Sequence, residues 1–166
     1  MTESNIVVDT DAVSFLFRAD SREKFYLPYV LKHRSVISFM TVAELEYGML
    51  RANWREARRK ALGDFVRKHF VIFHQTSDLC SVWATLRVEA ERKGRHLSNS
   101  DAWIAATAVL LDVPLLTHNR KDYESLESPN WKQHIRCRRN QQVRGHHKEK
   151  ADRLFRRTAS FEEKSV

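Results

Sequence analysis

The sequence predicts an α/β fold: an open parallel β-sheet flanked by helices on both faces, followed by a basic C-terminal tail. Two observations predict it. Short runs of β-forming residues alternate with segments of helical periodicity, and every strand-like run is followed by a stretch long enough to be a helix. Parallel neighbours need such crossovers. Residues 5–9 read as a buried strand, because Ile6, Val7 and Val8 are β-formers and an acid ends the run. Residues 12–18 follow as a helix with Val13, Leu16 and Phe17 on its apolar face. A short helix is expected at 24–33, entered near Pro28, then a strand at 35–40. Val42, Leu45, Met49 and Leu50 give 41–52 helical spacing; 54–68 is a helix with a basic outer side, and 70–73 a third strand. In 77–93, Leu79, Val82, Trp83, Leu86 and Ala90 fall in register, and Gly94 is the stop. Residues 101–111 form an Ala-rich helix, and 114–117 end a fourth strand.

At 166 residues the chain fits one domain, assigned to 1–135, with a basic extension at 136–166. Only Cys80 and Cys137 are present, so neither a disulfide framework nor a cysteine metal knuckle is expected, and a reducing cytoplasm is the natural setting. Apolar runs such as 36–40 and 109–116 are too short to span a bilayer. No basic region precedes an apolar stretch at the start, so no secretory signal is expected. The net charge of +8 favours a polyanionic partner such as nucleic acid, through counterion release. Much of the excess lies in the tail, where Arg136, Arg138, Arg139, Arg144, Lys148 and their neighbours accompany few apolar residues. Such a segment cannot bury enough surface to fold alone, though 151–157 could form a short helix.

Ligands of open parallel sheets bind outside the carboxyl ends of the strands. Asp9 closes the first strand, Glu44 lies a turn past the second, Asp101 opens the Ala-rich helix, and Asn119 and Asp122 follow the last strand. Four distant segments therefore deliver oxygen ligands to one cleft. Clustered carboxylates repel by about 4 kcal/mol per pair at 4 Å unless a cation intervenes. Mg²⁺ or Mn²⁺ suits an all-oxygen site. A cation held there activates water for attack on a phosphodiester and offsets charge on the leaving oxygen. Each acid also has a structural reading. Thr41-x-x-Glu44 and Ser98-x-x-Asp101 both match a capping box, Asp9 could simply end a strand, and Asp122 could sit in a solvated turn.

Four segments resemble the PIN-domain nucleases, and specifically the VapC toxins. Ile6-Val7-Val8-Asp9-Thr10-Asp11 resembles the family's opening strand, and residues 38–48 (Ser-Phe-Met-Thr-Val-Ala-Glu-Leu-Glu-Tyr-Gly) its second motif. Residues 101–108 (Asp-Ala-Trp-Ile-Ala-Ala-Thr-Ala) resemble the third, and 114–123 (Pro-Leu-Leu-Thr-His-Asn-Arg-Lys-Asp-Tyr) the fourth. The resemblance covers about residues 5–131 and implies a PIN-like fold and a metal-dependent endoribonuclease. It places Asp9, Glu44, Asp101 and Asn119 on metal positions, Asp122 on a nearby acidic position, and Thr10 and Thr117 as supporting hydroxyls. Asp11 departs from the usual Asn or Ser and adds charge at the mouth; Thr41 is a further supporting residue. The resemblance also implies a structured RNA substrate, such as a tRNA or rRNA loop, a homodimer, and a small VapB-like antitoxin that blocks the cleft.

Arg51, Arg55, Arg58, Arg59, Arg67, Lys68, Arg87, Arg92, Lys93 and Arg95, with Arg136, Arg138 and Arg139 of the tail, could track RNA phosphates; a solvated helix face is the simpler reading of each. Trp83 and Trp103 read as core or dimer contacts, and Trp54 as the tryptophan to consider for RNA. Two rival functions remain at this point. One is a catalytically weak RNA- or DNA-binding member of a toxin–antitoxin complex. The other is a phosphatase of the haloacid dehalogenase type, suggested by Asp9-Thr10-Asp11, although no later acidic metal segment supports it.

Overall fold

The computed structural model describes residues 4–123 and Leu126. The extension at 136–166, with Arg136, Arg138 and Arg139, and the boundary at 135 lie outside the described residues, as do Trp131 and Cys137.

Four strands form one parallel sheet: β1 (Asn5–Val8), β2 (Arg34–Ser38), β3 (Val71–Phe73) and β4 (Leu115–Leu116), in the order β3-β2-β1-β4. Between them run α1 (Thr10–Phe17), α2 (Glu23–Val30), α3 (Phe39–Arg51), α4 (Glu56–His69), α5 (Ser77–Arg92) and α6 (Asn99–Leu111); a short α7 (Arg120–Tyr123) follows β4. Strand alternation explains the two cores. Ile6, Val8, Ile37 and Leu116 point to one face, where α1 to α4 cover them with Leu16, Leu27, Leu45, Met49 and Phe65. Val7, Val36 and Leu115 point to the other, against Leu79 and Leu86 of α5 and Ile104 and Ala105 of α6. With both faces covered, the strands read as continuous apolar runs rather than alternating ones.

Three elements differ from expectation. The helix expected to enter near Pro28 starts at Glu23 and carries Pro28 inside it. The helix expected at 41–52 begins at Phe39, because Ser38 caps it by accepting from the Met40 N–H. Thr41 is therefore no cap: it is wholly buried, and its hydroxyl has no hydrogen-bond partner among the described residues. α7 is additional. The end of α5 matches: Gly94 takes φ +63°, and the Arg95 N–H returns to the Ala90 carbonyl.

Candidate active site

β1 and β4 are neighbours that leave the sheet in different directions of connection, β1 toward β2 and β4 at the opposite edge, so the crevice beyond their carboxyl ends is the switch point of the sheet. Asp9 sits there. Its backbone N–H extends the ladder to the Leu116 carbonyl (2.9 Å), and its side chain caps α1 by accepting from the Thr10 N–H (2.7 Å). The second carboxyl oxygen accepts from the Thr117 hydroxyl (2.6 Å). Only 7% of Asp9 is exposed. Burial, against the two hydrogen bonds and with Asp11 and Asp101 adding repulsion, pushes its pKa from 3.8 to about 7.

The other acids gather around it. Glu44, half-buried on α3, accepts from the Thr10 hydroxyl (2.5 Å), so Thr10 holds Asp9 by its backbone and Glu44 by its side chain. The expected Thr41–Glu44 box is thus replaced by a tie between helices. Asp101 lies in the first turn of α6, where Ser98 accepts from its N–H (3.1 Å) and donates its hydroxyl to Oδ2 (2.5 Å). The Tyr123 hydroxyl approaches Oδ1 of the same carboxylate (3.4 Å). Tyr123 is buried, and burial, then Asp9 and Asp101, drive its hydroxyl pKa far up, so it keeps its proton and can donate a hydrogen bond to Asp101. Asp122 is raised by burial first, then by Asp101 and Asp11, with His96 opposing. Asn119 is exposed at the same edge: its N–H donates to the Thr117 hydroxyl (3.1 Å), and its side-chain amide to Asp122. Asp11 is exposed at the mouth.

All donors are oxygens, and a buried, proton-holding carboxylate among other acids is a place a cation would stabilise. Among the described residues, no three His, Cys, Asp or Glu side chains stand close enough to share one ion. The residues fit a hard cation that takes one or two carboxylates and keeps several waters, the habit of Mg²⁺.

Sequence reasoning missed Tyr123 as a site residue; its only signal is the aromatic that ends the fourth segment. Of the expected phosphate rim, Arg67 is taken up by Asp64 (2.5 Å), and Arg87 by the Leu97 carbonyl and Glu91. Arg51, Arg55 and Arg92 are exposed; Lys93 and Arg95 lie in the exposed turn after α5. Trp54 is half-buried, packed on Phe17 and carrying the Arg58 guanidinium 3.9 Å from its ring centroid. Trp83 and Trp103 stack on each other at 4.9 Å.

The PIN domain family profile matches residues 6–126. Ribonuclease VapC1 of Haemophilus influenzae is 26% identical over 129 residues, covering 75% of this chain and 94% of the relative. Ribonuclease VapC2 of Rickettsia felis is 30% identical over 99 residues, 57% of this chain and 72% of the relative. Among solved structures, VapBC-1 from nontypeable H. influenzae is similar with a TM-score of 0.65 and 25% identity, over 74% of this chain and 92% of that one. VapBC-5 from Mycobacterium tuberculosis gives 0.58 and 28%, over 75% and 92%. The chain belongs to the PIN-domain family and is a homologue of the VapC ribonucleases of toxin–antitoxin systems.

Proposed function

We propose that this protein is a divalent-metal-dependent endoribonuclease of the VapC type, a toxin that cleaves a structured RNA and is held inactive by a cognate VapB-like antitoxin. The observation that carries the reading is Asp9, a buried carboxylate at the β1–β4 switch point, with Glu44 tied to its neighbour Thr10 and Asp101 near enough to repel its charge. Asp9, Glu44, Asp101 and Asn119 would surround Mg²⁺ or Mn²⁺, one or two of the carboxylates directly and the others through its waters, with Asp122 beside them. When bound, the ion supplies an activated water and Lewis-acid stabilisation of charge on the phosphate.

The chain's own residues do the remaining work. Thr117 and the Thr10 N–H orient Asp9 and offset its charge when it gives up its proton. Thr10 and Ser98 fix Glu44 and Asp101 by short hydrogen bonds, and Tyr123 closes the inner side of the site. Arg51, Arg55 and Arg92, all exposed, would meet phosphates farther along the RNA.

The toxin–antitoxin assignment draws on the similarity to VapBC complexes, and a homodimer in the cytoplasm goes with it. Among the described residues no helix is long and apolar enough to cross a membrane. The family match removes support from the phosphatase reading. Cleavage of RNA by the purified protein with Mg²⁺, Mn²⁺ or EDTA tests the proposal. Discrete metal-dependent fragments are expected, and intact RNA binding without cleavage would assign a binding role instead.

A further inference from the structure

Beside the acids lies a cleft of about 270 Å³ between α1, α3 and α4. Its floor is apolar: Phe17, Leu45, Met49, Leu62 and Trp54. Thr10 and Glu44 line one end, so the cleft and the candidate active site share two residues. Arg18 and Arg58 line it as well, gathered on Trp54 with their guanidiniums 5.9 and 3.9 Å from its ring centroid. Both arginines are exposed, and neither forms an ion pair among the described residues.

Gly48 adds an independent observation. It lines the cleft from the third turn of α3, and a Cβ built on it would meet nothing within 4 Å. Glycine is the poorest helix former after proline. Nothing among the described residues requires it at Gly48, since the space above it is open. A bare backbone there leaves room for something outside the chain to lie flat against the helix.

The geometry points to this cleft as a subsite for one unpaired nucleobase of the RNA, next to the cleaved phosphate, with the base against Gly48, Met49 and Trp54 and its phosphate on Arg18 and Arg58. The inference rests on the ribonuclease reading. An apolar slot suits a flat base, two exposed guanidiniums that form no ion pair among the described residues suit its phosphate, and the shared Thr10–Glu44 end makes the slot continuous with the acids. Recognition of single-stranded RNA commonly splays out a base onto aromatic and arginine surfaces. Because Trp54 already carries Phe17 and Arg58, it serves as a wall of the slot rather than as an open stacking face.

The test uses full-length protein in EDTA, so that binding is read without cleavage. The Trp54 indole N–H resonance, assigned with Trp54→Phe, is followed on titration with AMP, GMP, CMP and UMP, and with ribose 5-phosphate as the baseless control. At least one nucleotide should shift it saturably, and ribose 5-phosphate, which can reach only Arg18 and Arg58, should shift it less and bind more weakly. Gly48→Leu, which fills the slot, should weaken that binding by about tenfold or more, the scale of losing one base contact. Gly48→Ala guards against misfolding, since it favours the helix and should weaken binding less. The inference is overturned if no nucleotide moves Trp54, if ribose 5-phosphate moves it equally, or if Gly48→Leu binds as wild type. The first of these, with a protein partner whose binding Gly48→Leu abolishes, would assign the slot to a protein side chain. RNA cleavage measured separately keeps the two readings apart: cleavage with Trp54 unmoved sinks the subsite alone, and Trp54 shifts without cleavage sink the nuclease alone.

Discussion

Asp9 connects protonation, stability and metal binding. Its folded pKa of about 7 exceeds its ordinary 3.8, so between these values the folded chain binds a proton that the unfolded chain has released. The metal-free protein therefore loses stability as pH rises through that window. The move corresponds to at most about 4 kcal/mol at roughly 1.36 kcal/mol per pKa unit. A cation needs the charged form, so Mg²⁺ should raise the unfolding temperature more at about pH 8 than at about pH 6. Equal increases at both would count against Asp9 as a ligand. Asp9→Asn should flatten the metal-free pH dependence and abolish the Mg²⁺ effect. Thr117→Val removes the hydroxyl that supports Asp9 while keeping its shape. Activity should fall by about 10–100-fold, with the acid limb of the pH profile moved upward; an unmoved limb would show Thr117 to be only structural. At this scale the sequence was informative about where the acids stand, at strand ends and in first turns of helices, because their types and places are local facts. It could not disclose that Thr10 binds both Asp9 and Glu44, a link made by folding α1 against α3.

The elements matter through their first turns. Asp101 is held because Ser98 caps α6 and grips the carboxylate as well. Ser98→Ala should cost about 1 kcal/mol in chemical denaturation, typical of a lost cap. It should also lower activity beyond that, since Asp101 would lose its hydroxyl donor; unchanged activity would make the cap purely structural. Ala19, at φ +48° just after α1, is a left-handed alanine. Ala19→Gly should gain roughly 1 kcal/mol without altering the site, seen as a higher denaturation midpoint. The Ser98 cap was legible in the sequence, and the cap of α3 was not. β2 ends at Ser38 and α3 starts at Phe39 with no loop between them, so one apolar run belongs to both and its periodicity cannot place the junction. Moving the start back to Phe39 turned Thr41 from a cap into a buried side chain. The four-residue α7 is too short to show a helical period.

For the whole molecule, the alternation of strands and helices predicted the parallel sheet because a parallel pair cannot be joined without a crossover. Strand order did not follow from it: β4 joins β1 rather than β3, a choice made by packing α5 and α6 across the far face. The net charge of +8 acts at this scale too, through binding and its response to salt. Deleting residues 136–166, which include Arg136, Arg138 and Arg139, should weaken RNA binding and flatten its dependence on salt. Unchanged binding at every salt concentration would exclude the extension from the RNA contact. The most direct test of the central claim is cleavage of total RNA by wild type, Asp9→Asn and Asp101→Asn, each with Mg²⁺, Mn²⁺ or EDTA. The account predicts discrete fragments from wild type with metal and none from either variant or in EDTA. Cleavage that persists in EDTA or in both variants would contradict it.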